Sequence, residues 1–162
     1  MGALPLAEAS AGGYLTFMIK SLLSSLFDPH PPRLPEPDAR LALAALLVRL
    51  ARSDGDYAQS EMDRIDRVLA AYHHLSPFEA VKLRGEAEEI EAAAPDTVRF
   101  TRALKSATAH EDRAGLMQAL WSVALADGGR DAQEDSFLRM VANLLGLNDV
   151  ESAHARQKAA KE

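Results

Sequence analysis

Two short acidic turns hold the residue types best suited to chemistry. Each has an aspartate, a glycine directly after it and a glutamate six residues beyond the glycine: Asp54, Gly55 and Glu61 in the first turn, and Asp127, Gly128 and Glu134 in the second. Carboxylate oxygens are ligands that Ca²⁺, Mg²⁺ and Mn²⁺ prefer. Each Asp–Glu pair could converge on a divalent cation or an arginine. Alternatively, each aspartate accepts hydrogen bonds from its own turn. The sequence leaves both open.

The two aspartates stand where helix patterns end, and the glutamates where the next helices begin. A glycine after a helix favours the left-handed conformation that terminates it. Negative charge at a helix C-terminus is disfavoured by about 0.3–1 kcal/mol, so a compensating group is expected at both turns. Glu134 and Asp131 match N3 and N-cap positions of a following helix, a pair worth about 0.5–2 kcal/mol. Glu61 holds the same N3 position behind Ala58, a poor N-cap.

Glycine followed six residues later by glutamate also ends the calcium loop of an EF-hand. That loop needs oxygen ligands at its positions 1 and 3. With Glu61 at position 12, Leu50 and Arg52 occupy those positions, and the second turn places Val123 and Leu125 there. The sequence therefore excludes an EF-hand.

Catalytic chemistry has little support in the chain. It contains no cysteine, which excludes disulfides, thiolate metal sites and cysteine nucleophiles. No zinc-protease motif, phosphate-binding loop or nucleophile elbow occurs. His73 and His74 close a predicted helix, where a cation is favourable. We expect no enzyme, no catalytic residue and no organic cofactor.

The elements that must position the acidic turns are helices. The chain has 30 Ala and 23 Leu but only 7 Val, 3 Ile and 4 Thr, and Ala and Leu favour helix while the β-branched residues favour strands. Caps and apolar periodicity predict helices over 39–53, 58–73, 76–93, 95–107, 108–126 and 131–145, and a last helix opened by Asn148 and Glu151. The fold class is thus all-α, a compact bundle of about seven helices.

The segments before the bundle differ from it in composition. Residues 1–13 are Gly-rich and aperiodic, and are expected to be disordered, or non-native if the natural start is Met18. Residues 14–27 predict a short amphipathic helix that either docks on the core or acts as a weak anchor to a membrane surface or a partner. Residues 28–37 are rich in proline and predict a stiff linker. The helical domain is expected to span 38–162.

Charge narrows the possible partners. The net charge is −6, with +1 in residues 1–53 and −7 in residues 54–162. Nucleic-acid binding is not expected, because phosphate contacts need a basic face. No apolar run is long enough to span a bilayer. Four glutamates in the helix predicted over 76–93 form either a solvated face or an acidic docking strip: Glu86, Glu88, Glu89 and Glu91.

The two acidic turns belong to a longer internal repeat. A shift of 73 residues places helix, turn and helix of the first copy on the second, with Ile65 on Leu138 and Val68 on Val141. The repeat predicts a pseudo-duplicated pair of helical hairpins. Its turns, SDGDYAQSE at 53–61 and ADGGRDAQE at 126–134, resemble those of the tellurite-resistance TerB family and its wider TerB-like superfamily, over about residues 38–155.

The resemblance implies a compact, usually cytoplasmic helical domain linked to tellurite or general stress response. It further implies an acidic metal site of six residues: Asp54, Asp56, Glu61, Asp127, Asp131 and Glu134. Neither copy has a full set of four carboxylates, because Asp56 faces Gly129 and Asp131 faces Ala58. The expected function is a non-enzymatic module that binds a divalent cation (Ca²⁺, Mg²⁺ or Mn²⁺) or a protein partner. The alternative is a structural adaptor that docks a partner on an acidic surface without metal.

Overall fold

The computed structural model describes residues 38–53, 55–94, 96–126 and 132–162, and within them every regular element is helical. The bundle, in residues 36–162, is a compact unit of its own. Seven α-helices and a single 3-10 turn, His110–Asp112, make up these ranges: α1 (Ala39–Arg52), α2 (Gln59–His73), α3 (Pro77–Ala93), α4 (Val98–Ala107), α5 (Arg113–Ala124), α6 (Ala132–Leu144) and α7 (Asp149–Ala160). The all-α prediction with seven helices is confirmed.

Helix α1 lies at the centre of the bundle. Asp38 caps it, because its Oδ1 accepts a hydrogen bond from the Leu41 amide at 2.8 Å. Nine of its 14 residues are buried, in a nearly continuous run of Ala, Leu and Val, and a helix that is apolar on nearly all sides belongs in a core. It packs against α2, α3, α4, α5 and α6. The last turn of this helix carries the chain directly into the first acidic turn.

Local capping signals placed two helix starts correctly. Ser76 caps α3 with proline at the first helical position, and both halves of its capping box with Glu79 form. Asn148 and Glu151 make the same reciprocal box at the start of α7, at 2.8 and 3.0 Å. These contacts are decided within four residues, which is why the sequence alone indicates them.

The helix predicted over 108–126, with Thr108 and Glu111 as its expected capping box, begins later than predicted. Thr108 instead ends α4 in an extended conformation, and α5 begins five residues later at Arg113. The guanidinium of Arg113 explains the difference, since it donates to the carbonyl oxygens of Lys105 and Thr108 at 3.3 and 3.1 Å. It also reaches the Leu145 carbonyl at 3.1 Å. The side chain of Arg113 thus provides hydrogen-bond donors to the carbonyl oxygens at the C-terminal end of α4.

The repeat seen in the sequence corresponds to repeated helices. Helices α2 and α6 begin 73 residues apart, and α1 and α5, which precede them, pack against each other. Equivalent core positions are buried in both copies, including Ile65 with Leu138 and Leu47 with Leu120. Residues 127–131, between α5 and α6, lie outside the described residues.

The expectations for residues 1–37 also fall outside the described residues, so the N-terminal segment, the amphipathic helix at 14–27 and the linker stay predictions. Among the helices that are described, none has the length and apolar character needed to cross a bilayer.

Replacing Gly85 by alanine is expected to stabilise the bundle by about 0.5–1 kcal/mol. Gly85 lies in the middle of the 17-residue helix α3, where glycine costs about that much relative to alanine. An added Cβ would meet no atom within 4 Å. Urea unfolding should show a higher midpoint with an unchanged slope. Gly146→Ala is the matched control and should destabilise, because Gly146 has φ +77°. A midpoint for Gly85→Ala at or below that of the parent chain would contradict the prediction.

Candidate functional site

The first acidic turn begins where α1 ends. The amide of Gly55 donates to the carbonyl oxygen of Arg52 at 3.0 Å, and Gly55 has φ +85°. This is the left-handed conformation that the sequence predicted for the glycine. Asp54 lies outside the described residues, whereas Asp56 is exposed.

Glu61 points its carboxylate back into this turn. Its Oε2 accepts a hydrogen bond from the Ala58 amide at 3.0 Å, as an N3 glutamate does in a capping box. Alanine offers no side-chain oxygen in return, so only one half of the box exists. The side chain of Glu61 is nevertheless buried, with 9% of the residue exposed. A carboxylate therefore sits inside the bend between α1 and α2.

Glu134 repeats this placement in the second copy. It lies in the first turn of α6 and is 8% exposed, close to the value for Glu61. Buried glutamates are rare unless they are paired. The equivalent first-turn positions that sequence spacing predicted for these two glutamates therefore both hold a buried carboxylate.

Half of the predicted metal ligands can be placed. Asp56, Glu61 and Glu134 lie in the described residues, whereas Asp54, Asp127 and Asp131 lie outside them. Among the described residues, no three His, Cys, Asp or Glu side chains come close enough to share one metal ion. The structure therefore places the buried glutamate of each turn, Glu61 and Glu134. It does not describe the aspartates that would complete a ligand set.

Arg49 connects the end of α1 to α3 and α4 beside the first turn. Its Nε donates to Glu91 Oε1 at 2.9 Å, and its Nη2 donates to the carbonyl oxygens of Glu91 and Ala94 at 3.0 and 2.7 Å. Nη1 reaches Thr97 Oγ1 at 3.3 Å. The guanidinium also lies 5.3 Å from the centroid of the Phe100 ring. One side chain thus satisfies the C-terminal carbonyls of α3.

Arg52 and Tyr57 flank the first acidic turn and are both tied to α3. Arg52 pairs with Glu91 Oε2 at 2.5 Å and lies 4.9 Å from the centroid of the Tyr57 ring. The Tyr57 hydroxyl donates to Glu88 Oε1 at 2.7 Å. Burial raises the pKa of Tyr57 well above its ordinary value, and the Glu88 carboxylate raises it further. The phenol therefore stays protonated and acts as a donor.

Arg84 extends these contacts to α2. It pairs with Asp66 on α2 and with Glu88 on its own helix, both at 2.6 Å. Its side chain is only 12% exposed. We refer to the whole set as the arginine–glutamate network: Arg49, Arg52, Tyr57, Asp66, Arg84, Glu88 and Glu91. It holds both sides of the first acidic turn against α3.

The sequence interpretation of the α3 glutamates needs correction. Four glutamates were expected to form either a solvated face or an acidic docking strip, but only Glu86 and Glu89 are exposed. Glu88 and Glu91 are partly buried and paired with arginines. The available signal was the three-residue spacing of Arg49 with Arg52 and of Glu88 with Glu91, which places each pair on one helix face.

The two histidines end α2 as expected. His74 is the C-cap in a left-handed conformation, with φ 55°. Burial lowers the pKa of His73, and the nearby charge of Arg40 lowers it further while Asp38 opposes the shift. His73 therefore favours the neutral form, which weakens the expectation of a charge–dipole interaction at this helix end.

Comparison with known proteins gives one family. The family model described as tellurite resistance protein TerB matches residues 40–157, which covers all seven helices except the first residue of α1 and the end of α7. Neither the curated proteins nor the solved structures gave a match to the chain.

Proposed function

The chain belongs to the tellurite resistance TerB family, and we propose that it is a non-enzymatic module that binds a divalent cation at its two acidic turns, in a tellurite or general stress response. The observation that carries this proposal is the equal burial of Glu61 and Glu134, at 9% and 8% exposure, in the first turns of the two repeated helices. Burial of a carboxylate costs free energy unless a positive or hydrogen-bonding group compensates it. Its repetition supports a shared role for the two glutamates.

The ligand atoms that the two turns offer limit the choice of metal ion. Each turn offers carboxylates and main-chain carbonyl oxygens, and the chain has no cysteine. Such oxygen ligands suit Ca²⁺, Mg²⁺ and Mn²⁺ better than Zn²⁺. The proposed ligands are those that the resemblance implied: Asp54, Asp56, Glu61, Asp127, Asp131 and Glu134.

A binding role is favoured over catalysis by the surroundings of two of the described histidines, His110 and His73. His110 lies at the surface, 3.2 Å from the Glu151 carboxylate at the start of α7. His73 packs edge-on against Tyr72, with ring centroids 4.9 Å apart. Neither arrangement places an imidazole next to a hydroxyl nucleophile.

Calorimetric titration of the chain with Ca²⁺, Mg²⁺ and Mn²⁺ tests the proposal. We expect saturable heat with at least one ion, and at least tenfold weaker binding after combined Asp54→Asn and Asp127→Asn replacement, because each change removes a ligand charge. Combined Glu86→Gln and Glu89→Gln is the matched control, since it removes two exposed carboxylates away from the turns. Heat lost equally in the control would reduce the effect to general surface charge.

A metal-free adaptor is the second candidate, favoured by the surface of α3. Phe78 and Val81 are 78% and 46% exposed one turn apart, near the exposed Glu86 and Glu89. Exposed apolar groups beside charge are typical of docking surfaces. Flat traces in all three titrations would contradict cation binding and favour this adaptor role.

A further inference from the structure

A groove of about 470 Å³ separates α2 from α5. Small and apolar residues line much of it, among them Val68, Ala71 and Ala119. Tyr72 shares a helix face with the buried Ile65 and Leu69 by its spacing, but it is 37% exposed. Its ring lies beside Gly115 on α5, where an added Cβ would be 3.8 Å from Tyr72 Cε2. The ring thus rests at one end of the groove instead of entering the core.

The other end of the groove holds a carboxylate. Ser122, which is 5% exposed, donates from Oγ to Glu162 Oε2 at 3.0 Å. Gln118 donates from Nε2 to Glu162 Oε1 at 2.5 Å. Two donors on successive turns of α5 therefore engage both oxygens of one carboxylate, which is a geometry that selects this group.

The groove that holds this carboxylate also carries positive charge. Arg64 and Arg67 on α2 line the same groove, and Arg64 Nε donates to the Ser122 carbonyl oxygen at 3.3 Å. The bundle as a whole is acidic, so two arginines beside a pair of neutral donors form a local exception to the charge of the surface. Their complement is a negatively charged side chain.

The two ends of the groove differ in their chemistry. Arg64 meets Ser122 at the charged end, and Tyr72 meets Gly115 at the aromatic end. The two ends are eight residues apart on α2, which corresponds to about 12 Å at 1.5 Å per residue. An extended peptide rises about 3.3 Å per residue. A carboxylate and an apolar side chain four residues apart in such a peptide would therefore reach both ends.

We propose that this groove binds an acidic segment of a partner protein, and that Glu162 occupies the position of the partner's carboxylate while the groove is free. The segment places a Glu or Asp side chain against Gln118 and Ser122 and an apolar side chain beside Tyr72 and Gly115. Glu162 then acts as an internal competitor. The proposal is independent of cation binding, because its groove residues do not include the acidic turns.

Titration of the isotope-labelled chain with two peptide amides, monitored by the amide resonances in EDTA, tests the proposal. The probes are acetylated pentapeptides with glutamate and leucine at the two ends, in either order, and serines between them. We expect one order to shift the amides of Gly115, Gln118 and Ser122 in a saturable way. Replacing the glutamate of the probe by glutamine should weaken binding at least fivefold. Equal binding of the two probes, or shifts only outside the groove, would overturn the proposal.

Variants of the chain separate docking from surface charge. Glu162→Ala should tighten binding of the glutamate peptide at least threefold, because it removes the competitor, and Gln118→Ala should weaken it at least fivefold. Gly115→Met should block the aromatic end, with circular dichroism confirming that α5 is intact. Glu86→Ala is the control, since it removes an exposed carboxylate on α3.

Two results would refute the inference directly. Unchanged affinity after Glu162→Ala would show that Glu162 is no competitor. Sodium acetate giving the same shifts at the same concentration would show a general carboxylate site without peptide recognition. Because EDTA is present throughout, failure here is distinct from failure of the cation titrations.

Discussion

Replacing Arg49 by methionine is expected to lower the free energy of unfolding by about 1–3 kcal/mol, the cost of leaving buried acceptors without a donor, while Glu91 keeps its ion pair with Arg52. The change leaves Glu91 without its Nε partner and removes the donors to the carbonyl oxygens of Glu91 and Ala94. The Arg49 and Glu91 side chains are only 18% and 12% exposed, so water cannot fully replace these contacts. Methionine fills much of the same volume, which makes the expected loss mainly polar.

Urea unfolding measures this loss, and two variants calibrate it. Arg49→Lys should fall between the parent chain and methionine, because lysine keeps the charge but lacks the planar fork that reaches several acceptors. Arg102→Met, at an exposed position of α4, should change stability by less than about 0.5 kcal/mol. A loss below about 1 kcal/mol for Arg49→Met would show that the arginine–glutamate network does not hold α3 to α1.

Leu46→Ala is expected to destabilise the bundle by about 2–5 kcal/mol, the range for a large-to-small change in a packed core. Leu46 is fully buried on α1, and α1 contacts five of the other helices. The surrounding elements cannot all collapse onto the space left by the side chain, so a cavity remains.

Leu46→Met tests whether that loss comes from the cavity. It keeps the volume and should cost less than about 1.5 kcal/mol. Thermal unfolding followed by circular dichroism would measure both variants. Equal destabilisation by alanine and methionine would contradict a cavity as the cause of the loss. It would show that the shape of the Leu46 side chain matters more than its volume.

Features decided within one or two turns of chain were predictable from sequence. The caps at Ser76 and Asn148 involve partners three residues away, and the left-handed Gly55 follows from its place after a helix. Trp121 is buried together with Met117 and Leu120, as the helical spacing of these apolar residues predicts. The duplicated turns could also be predicted, because matching residues recur in the sequence after 73 positions.

Features that depend on which helices become neighbours could not be predicted. Arg49 and Glu91 are 42 residues apart in the chain, so nothing local indicates that they pair. The ring of Tyr72 likewise lies beside Gly115, a residue of another helix. Periodicity predicts that a side chain faces inward and does not say whether its neighbour will be a large side chain or a glycine.

The candidate site could be predicted from the sequence only in part. Sequence spacing predicted that Glu61 and Glu134 would occupy equivalent positions, and both are buried in the first turn of their helices. Burial to this degree was not predicted, because an N3 glutamate is commonly a surface residue. The aspartates proposed to act with them stay predictions, since Asp54, Asp127 and Asp131 lie outside the described residues.

The arginine–glutamate network belongs to the first acidic turn alone. At the positions equivalent to Arg52 and Tyr57, the second copy has Leu125 and Arg130, so it cannot reproduce the contacts that tie the first turn to α3. A site whose backbone is already fixed loses less conformational entropy when it captures a ligand. Because the second copy lacks the residues that make these contacts, the proposed function predicts that the two turns bind the cation in two distinguishable steps, the first turn before the second.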